Sequence, residues 1–327
     1  MSKVLLINNK IKAFNKTINI PGDKSLSIRW VLLASQAVGK SKAYNLLMSE
    51  DVIAAIDSIK KLGIKVTVHK TYCAIYGNGI NGFKYKKNLT INAKNSGTLG
   101  RLILGLLIKS PQKVKLIGDK SLSKRDFSRI TIPLTKFGAK FYYKTKNKLP
   151  LSILGTDSTK GIDYLEKKGS AQCKSSVMFA ALNASGSTLI KAKKSRNHSE
   201  LLFKYLKIPI RVKKNKKYDF IDIKKPKIIK AFNYQIPGDI SSSAFFMILA
   251  VLTNGSKLLI KNVNINPSRT GVINILKKMG AKISFINKKN YRGEKISDIL
   301  IKSCNKLKAI NCSKELNSSA IDEFLII

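Results

Sequence analysis

Four stretches of the chain repeat one arrangement, a polar, serine-rich start followed by an almost unbroken apolar run. They are marked by Ser25 (DKSLSIRWVLLA), Ser96 (NSGTLGRLILGLL), Ser170 (GSAQCKSSVMFAAL) and Ser241 (GDISSSAFFMILAVL), at separations of 71, 74 and 71 residues. A short polar cap ahead of apolar residues predicts a helix start. Each run is followed by a short strand pattern (KAYNLL, VKLIGD, STLIKAK, KLLIKNV), a polar turn and a second, amphipathic helix. That helix ends in KKLGIKVTV, TKFGAKFYY, YLKIPIRVK or KKMGAKISF, where Gly before an alternating strand is a stop signal. The third copy lacks the Gly and has Lys207-Ile208-Pro209 instead. The repeating unit is helix–strand–helix–strand with further strand content before the next start.

A second regularity divides the chain. Ile-Pro-Gly-Asp occurs at 20–23 and again at 236–239, 216 residues or three units apart. Each copy is read as a crossing between two domains. One domain is 21–235, with three repeated units; the other is discontinuous, 1–20 plus 236–327. A fifth start, Asn317-Ser318-Ser319-Ala320, opens an apolar run to Ile327 that reads as another helix, with no strand or second helix after it. Two domains of three units need about 430 residues, so the discontinuous domain is expected to be incomplete and the sequence to be C-terminally truncated. The expected fold class is α/β.

Charge adds one complication. Sixty-two Lys and Arg against 18 Asp and Glu give a formal net charge of +44, which first suggests nucleic acid. The lysines are scattered along the whole sequence, however, and only eight of the basic residues are arginine. Nucleic-acid readers favour arginine for bidentate and stacking contacts. No nucleic-acid partner is expected; a basic, non-catalytic nucleic-acid binder is the alternative. Arg29, Arg101, Arg125, Arg129, Arg196 and Arg269 sit in Ser/Thr/Gly/Asp-rich turns or beside helix starts, where a planar fork for phosphate or carboxylate is useful. Arg129 and Arg269 are read as helix braces. Cys73, Cys173, Cys304 and Cys312 form no C-x-x-C pair, which argues for a reduced, cytoplasmic protein without structural zinc. His69 and His198 are too few for a His-rich metal site. Val4–Ile7 is too short an apolar run for a signal peptide, and Phe245–Leu252 is too short to span a bilayer.

The segment from Ile20 to Arg29 carries the most chemistry. It turns through Pro-Gly and then places Lys24, Ser25, Ser27 and Arg29 at a helix start, where unpaired N–H groups already favour anions. An ordinary N-cap is the plainer reading. Eight motifs in order change the balance: PGDKSLSIR, NSGTLGR, GDKSLSKRDFSR, GSAQCKSS, KSRNHSE, PGDISSSAF, NPSRTG and AIDEF. Together, over essentially the whole sequence, they resemble the 5-enolpyruvylshikimate-3-phosphate synthases.

The resemblance implies the two-domain enolpyruvyl transferase fold of repeated βαβαββ units. It implies a cytoplasmic, monomeric transferase of the shikimate pathway that uses neither metal nor cofactor. The reaction would move the carboxyvinyl group of phosphoenolpyruvate to the 5-hydroxyl of 3-phosphoshikimate and release phosphate. Carried over residue by residue, Lys24, Ser25, Arg29, Ser170, Ala171, Gln172, Ser195, Arg196 and Asp322 would hold 3-phosphoshikimate. Lys24, Gly97, Arg125 and Gln172 would hold phosphoenolpyruvate. Lys24 and Asp322 would be catalytic, Asp322 as proton acceptor, with Glu323 the less favoured neighbour. Helix caps at Ser25, Ser170 and Ser195 and a tight turn at Gly97 are the alternatives. Two departures stand out. The family's last segment, with a second catalytic carboxylate and further Lys and Arg, has no counterpart here, so this polypeptide alone is expected to turn over little. Trp30 is bulky where small or polar residues commonly flank the arginine, and it is expected to be buried. The related transferase acting on UDP-N-acetylglucosamine is disfavoured, because Ser25 rather than Asn follows Lys24 and no cysteine lies between Asn95 and Arg125.

Overall fold

A computed structural model describes residues 10–313, 316 and 319–327; the run Val4–Ile7 and the start at Asn317-Ser318 lie outside the described residues. The chain divides into two compact units, Gly22–Ile236, and Met1–Pro21 with Pro237–Ile327.

β1 (Asn15–Asn19) leads into the first Ile-Pro-Gly-Asp, and α1 (Lys24–Ser35), β2 (Val38–Tyr44), α2 (Glu50–Lys61), β3 (Lys65–Val68) and β4 (Tyr72–Asn78) follow it. Next come β5 (Leu89–Asn92), α3 (Gly97–Leu106), β6 (Val114–Ile117), α4 (Lys120–Ser123), α5 (Ser128–Lys136), β7 (Lys140–Tyr143) and β8 (Leu151–Leu154). The third repeat is β9 (Asp163–Glu166), α6 (Ala171–Ala181), β10 (Ser187–Lys193), α7 (His198–Tyr205), β11 (Ile210–Lys214) and β12 (Tyr218–Lys224), with β13 (Tyr234–Gln235) after it. Beyond the second Ile-Pro-Gly-Asp lie α8 (Ile240–Leu252), β14 (Lys257–Asn264), α9 (Gly271–Lys278), β15 (Lys282–Tyr291) and β16 (Glu294–Lys302).

Two sheets are built from consecutive strands, in the orders β5-β6-β8-β7 and β9-β10-β12-β11. The other two, β13-β2-β4-β3 and β1-β14-β16-β15, have the same order but take one strand from far away in sequence. β1, just before the first Ile-Pro-Gly-Asp, pairs in parallel with β14, which follows the second (Asn15↔Lys257 to Asn19↔Lys261). β13, just before the second, pairs in parallel with β2, which follows the first (Tyr234↔Ala43, Gln235↔Tyr44). The strand ahead of each motif therefore completes the sheet of the other motif's repeat.

The second helix of each repeat stops in one way. Gly63, Gly138 and Gly280 have φ of 85°, 101° and 102°, and Lys207 holds the same place at 56°. The following N–H reaches back five residues in three of them: Ile64 to Ile59 O (3.0 Å), Ile208 to Phe203 O (2.9 Å) and Ala281 to Leu276 O (2.9 Å). A lysine in this left-handed region is strained by its Cβ, so Lys207→Gly is expected to stabilise the protein by about 0.5–1 kcal/mol in urea titration.

Burial places the helices. Every residue of α1 from Leu26 to Ser35 is buried, and so is every residue of α6 from Cys173 to Ala181. Gly105 of α3 lets α3 meet α6 backbone to backbone, since a Cβ there would fall 2.2 Å from the Ser176 carbonyl oxygen. Trp30 is fully buried, edge-on to Phe232 at 6.3 Å between ring centres. In the other unit, Ile240, Met247 and Val251 of α8 pack on Ile260, Val272 and Ile299.

The C-terminal end departs from the helix expected there. Ile321–Ile326 forms turns, with the Glu323 N–H donating to Ala320 O (3.0 Å) and the Ile326 N–H to Glu323 O (3.1 Å). Two tertiary contacts account for this. Ala320 is buried against Gly271, and the Glu323 carboxylate accepts a hydrogen bond from Ser241 Oγ.

Candidate active site

Four helix starts of the Gly22–Ile236 unit meet at one end. Asp23 caps α1, its Oδ1 accepting from the Leu26 N–H (2.9 Å). Ser96 caps α3 through Leu99 N–H (3.2 Å), and Ser170 caps α6 through Cys173 N–H (3.2 Å). Arg29, one turn into α1, ties the group together. Its Nε donates to Ser199 Oγ on α7 (2.8 Å), Nη2 to Ser175 Oγ on α6 (3.2 Å) and Nη1 to the Ser25 carbonyl (3.0 Å). Ser175 and Ser199 are themselves 2.7 Å apart. A planar guanidinium bridging three elements from a position only 3% exposed fixes the spacing of those helix starts.

The α3–α6 side is cationic. Arg101 Nη1 donates to Gln172 Oε1 (2.7 Å) and to Gly97 O (3.2 Å), Gln172 Nε2 donates to Thr98 Oγ1 (3.0 Å), and the Arg101 guanidinium lies over the Phe127 ring at 5.4 Å. A Cβ on Gly97 would lie 2.6 Å from Arg101 Nη1 and 3.1 Å from Arg125 Nη1. Two guanidinium groups thus converge beside a glycine at a helix N-terminus, a geometry suited to a phosphate or carboxylate. Burial lowers the pKa of Arg101, and the neighbouring Arg125 and Arg129 lower it further. An arginine does not lose its proton at any relevant pH, so this repulsion favours a bound anion.

The remaining sequence-selected residues are placed as follows. Lys24 has a half-exposed side chain, its Nζ 3.7 Å from Asp51 Oδ2. Ser25, Ala171 and Arg196 are half-buried. Ser195 Oγ is buried and has no hydrogen-bond partner among the described residues. Arg129 pairs with the buried Glu166 (2.7 Å), which also accepts from the backbone N–H of Ser170 (2.9 Å), so this arginine braces the entry to α6. Arg269, in the other unit, donates to Ser241 Oγ (2.7 Å) at the start of α8. Asp322 also belongs to that unit and is exposed, whereas Glu323 is buried. The motifs alone do not assign Arg101, Thr98, Ser175 or Ser199 to the site. The i to i+4 spacing of Gly97 and Arg101, which puts them on one helix face, is the signal that points to Arg101.

Among the described residues no group of three or more His, Cys, Asp or Glu could hold a metal ion, no disulfide joins the cysteines, and no helix is long and apolar enough to cross a membrane.

Comparison with known proteins gives a consistent result. The family model described as EPSP synthase (3-phosphoshikimate 1-carboxyvinyltransferase) matches residues 8–326. A 3-phosphoshikimate 1-carboxyvinyltransferase of Ruthia magnifica is 42% identical over 312 residues, 95% of this chain and 70% of the relative. One from Petrotoga mobilis is 37% identical over 316 residues, 96% of this chain and 72% of the relative. The solved EPSP synthase of Acinetobacter baumannii superposes with a TM-score of 0.86 at 35% identity, covering 96% of this chain and 70% of that one.

Proposed function

The chain belongs to the EPSP synthase (3-phosphoshikimate 1-carboxyvinyltransferase) family, and we propose that its four clustered helix starts bind the two anionic substrates. Its reaction transfers the carboxyvinyl group of phosphoenolpyruvate to the 5-hydroxyl of 3-phosphoshikimate. The hydroxyl oxygen bonds to the enol carbon as the methylene takes up a proton; the resulting tetrahedral adduct then loses a proton and phosphate to restore the double bond. Catalysis therefore needs a base for the hydroxyl, an acid for the methylene and cations for the charge on phosphate.

The convergence of Arg101 and Arg125 beside Gly97 carries this reading. Gly97 and Arg125 hold phosphoenolpyruvate, Gln172 lies between the two substrates, and Arg101 positions Gln172. Arg29, Ser25, Ser170, Ala171, Ser195 and Arg196 hold 3-phosphoshikimate; the unpartnered Ser195 hydroxyl supports that assignment. Lys24 moves protons and neutralises phosphate, and Asp322 accepts the hydroxyl proton. The protein works in the cytoplasm, which its unpaired cysteines suit, and as a monomer.

Calorimetric titration of 3-phosphoshikimate into the 327-residue protein tests the reading directly. Saturable binding at one site is expected, together with loss of that binding in Ser195→Trp; a silent titration would overturn it. Gly97→Ala places a methyl group against both guanidinium groups. It is expected to raise the phosphoenolpyruvate dissociation constant about 10- to 100-fold while changing that of 3-phosphoshikimate little.

A further inference from the structure

The first turns of α6 and α7 are joined by charge. Lys174 Nζ of α6 lies 2.5 Å from Glu200 Oε1 of α7, both residues are buried, and no other counter-charge reaches either among the described residues. Beside this pair on each helix stands a serine. Ser175 and Ser199 are 2.7 Å apart, and theirs are the two hydroxyls that accept from Arg29 Nη2 and Nε. One turn further along, Phe179 and Phe203 meet at 5.7 Å between ring centres. The seam between α6 and α7 thus holds a charged, a hydroxyl and an aromatic contact within one turn of each helix.

A buried ion pair is a poor way to gain stability, since two apolar side chains of similar volume usually serve as well or better. Lys174 also stands in the first turn of α6, where the partial positive charge of the helix start disfavours a cation. Nor does the pair deliver charge to an anion, because it is neutral as a whole. What it supplies is a fixed contact. Drawing opposite charges apart in a low-dielectric interior is costly, whereas apolar contact is non-directional and lets two helices slide. A fixed seam matters at this place in the fold. Ser170, Ala171 and Gln172 lead into Lys174, and Ser195 and Arg196 lead into Glu200, so both sets of residues assigned to 3-phosphoshikimate are carried by the helix turns that the pair joins.

We propose that the buried Lys174–Glu200 pair is a positioning element for 3-phosphoshikimate. It holds the starts of α6 and α7 at the spacing that lets Ser175 and Ser199 share the Arg29 guanidinium, and neither charge touches the ligand. The inference deepens the substrate reading given above and rests on it.

Two readouts separate position from stability. One is the Arg29 Nε–H signal in nitrogen-15 spectra of the ligand-free 327-residue protein, one of eight such arginine signals and assigned by its loss in Arg29→Lys. The other is the calorimetric affinity for 3-phosphoshikimate. Lys174→Met combined with Glu200→Leu is expected to unfold in urea close to wild type, yet to shift the Arg29 signal and weaken 3-phosphoshikimate binding about tenfold. Glu200→Asp keeps the charge and shortens its reach by one methylene. It is expected to shift the same signal and to weaken binding about threefold, and it decides the matter if the double variant does not fold. Either readout unchanged in the folded variants, with normal binding by wild type, overturns the proposal and leaves the substrate reading standing. A wild-type protein that binds no 3-phosphoshikimate overturns the substrate reading and the inference with it.

Discussion

Glu200→Ala is expected to lower the unfolding free energy by about 3–5 kcal/mol. Lys174 of α6 and Glu200 of α7 form an ion pair at 2.5 Å with side chains 0% and 4% exposed. Removing the carboxylate leaves a buried ammonium group with no other counter-charge among the described residues, and the desolvation cost of that charge then goes uncompensated. Lys174→Met combined with Glu200→Leu removes both charges at similar volume, and the double variant should recover most of the loss. Urea titration of both variants makes the comparison. A loss below about 1 kcal/mol in Glu200→Ala is what a surface pair would give, and it would show that Lys174 reaches water on opening.

Arg29→Lys should weaken 3-phosphoshikimate binding about 100-fold while retaining the charge. The arginine spends donors on Ser199 Oγ, Ser175 Oγ and the Ser25 carbonyl, joining α1, α6 and α7. A lysine ammonium is a single point at the end of a flexible stem and cannot meet three acceptors in these fixed directions. The helix starts would lose their spacing even though the net charge is preserved. Calorimetry with 3-phosphoshikimate gives the affinity, and circular dichroism shows whether the fold survives. Equal affinity in Arg29→Lys would reduce the role of this side chain to charge alone. Ser199→Ala, which removes one acceptor and leaves the guanidinium in place, should lose far less.

Much of this architecture is legible along the sequence because its signals are local. A capping Asp or Ser ahead of an apolar run bonds an N–H two or three residues on, as Asp23, Ser96, Ser170 and Asp239 do. Gly63, Gly138 and Gly280 announce helix stops because the left-handed turn is strained for other residues. Lys207 shows the limit of that signal. It adopts the same turn without being glycine, because the repeat around it imposes the geometry. The turns over Ile321–Ile326 show the opposite limit, where an apolar run with a helical look is held out of a helix by contacts to Gly271 and Ser241.

The site divides along the same line. Lys24, Arg29, Gly97, Arg125 and Gln172 stand in motifs that can be read in order. Arg101 differs: its importance depends on Gln172, 71 residues away, and on the second guanidinium beside Gly97. Lys174 is one basic residue among 62 until burial leaves it with Glu200 as its counter-charge.

What the amino-acid order determined by itself was the repeated unit, its capped starts and stops, and the family to which its motifs belong. Those depend on bonds between residues a few positions apart, which any copy of the segment would form. Tertiary structure alone decided which strand completes which sheet. β1 and β13 stand before identical Ile-Pro-Gly-Asp turns, and each takes the same outer place in a four-stranded sheet. Local propensity cannot separate those pairings. The choice rests on strand pairing across more than 190 residues, with Tyr234 in register with Ala43 and Asn15 with Lys257, once each sheet has closed on its own core.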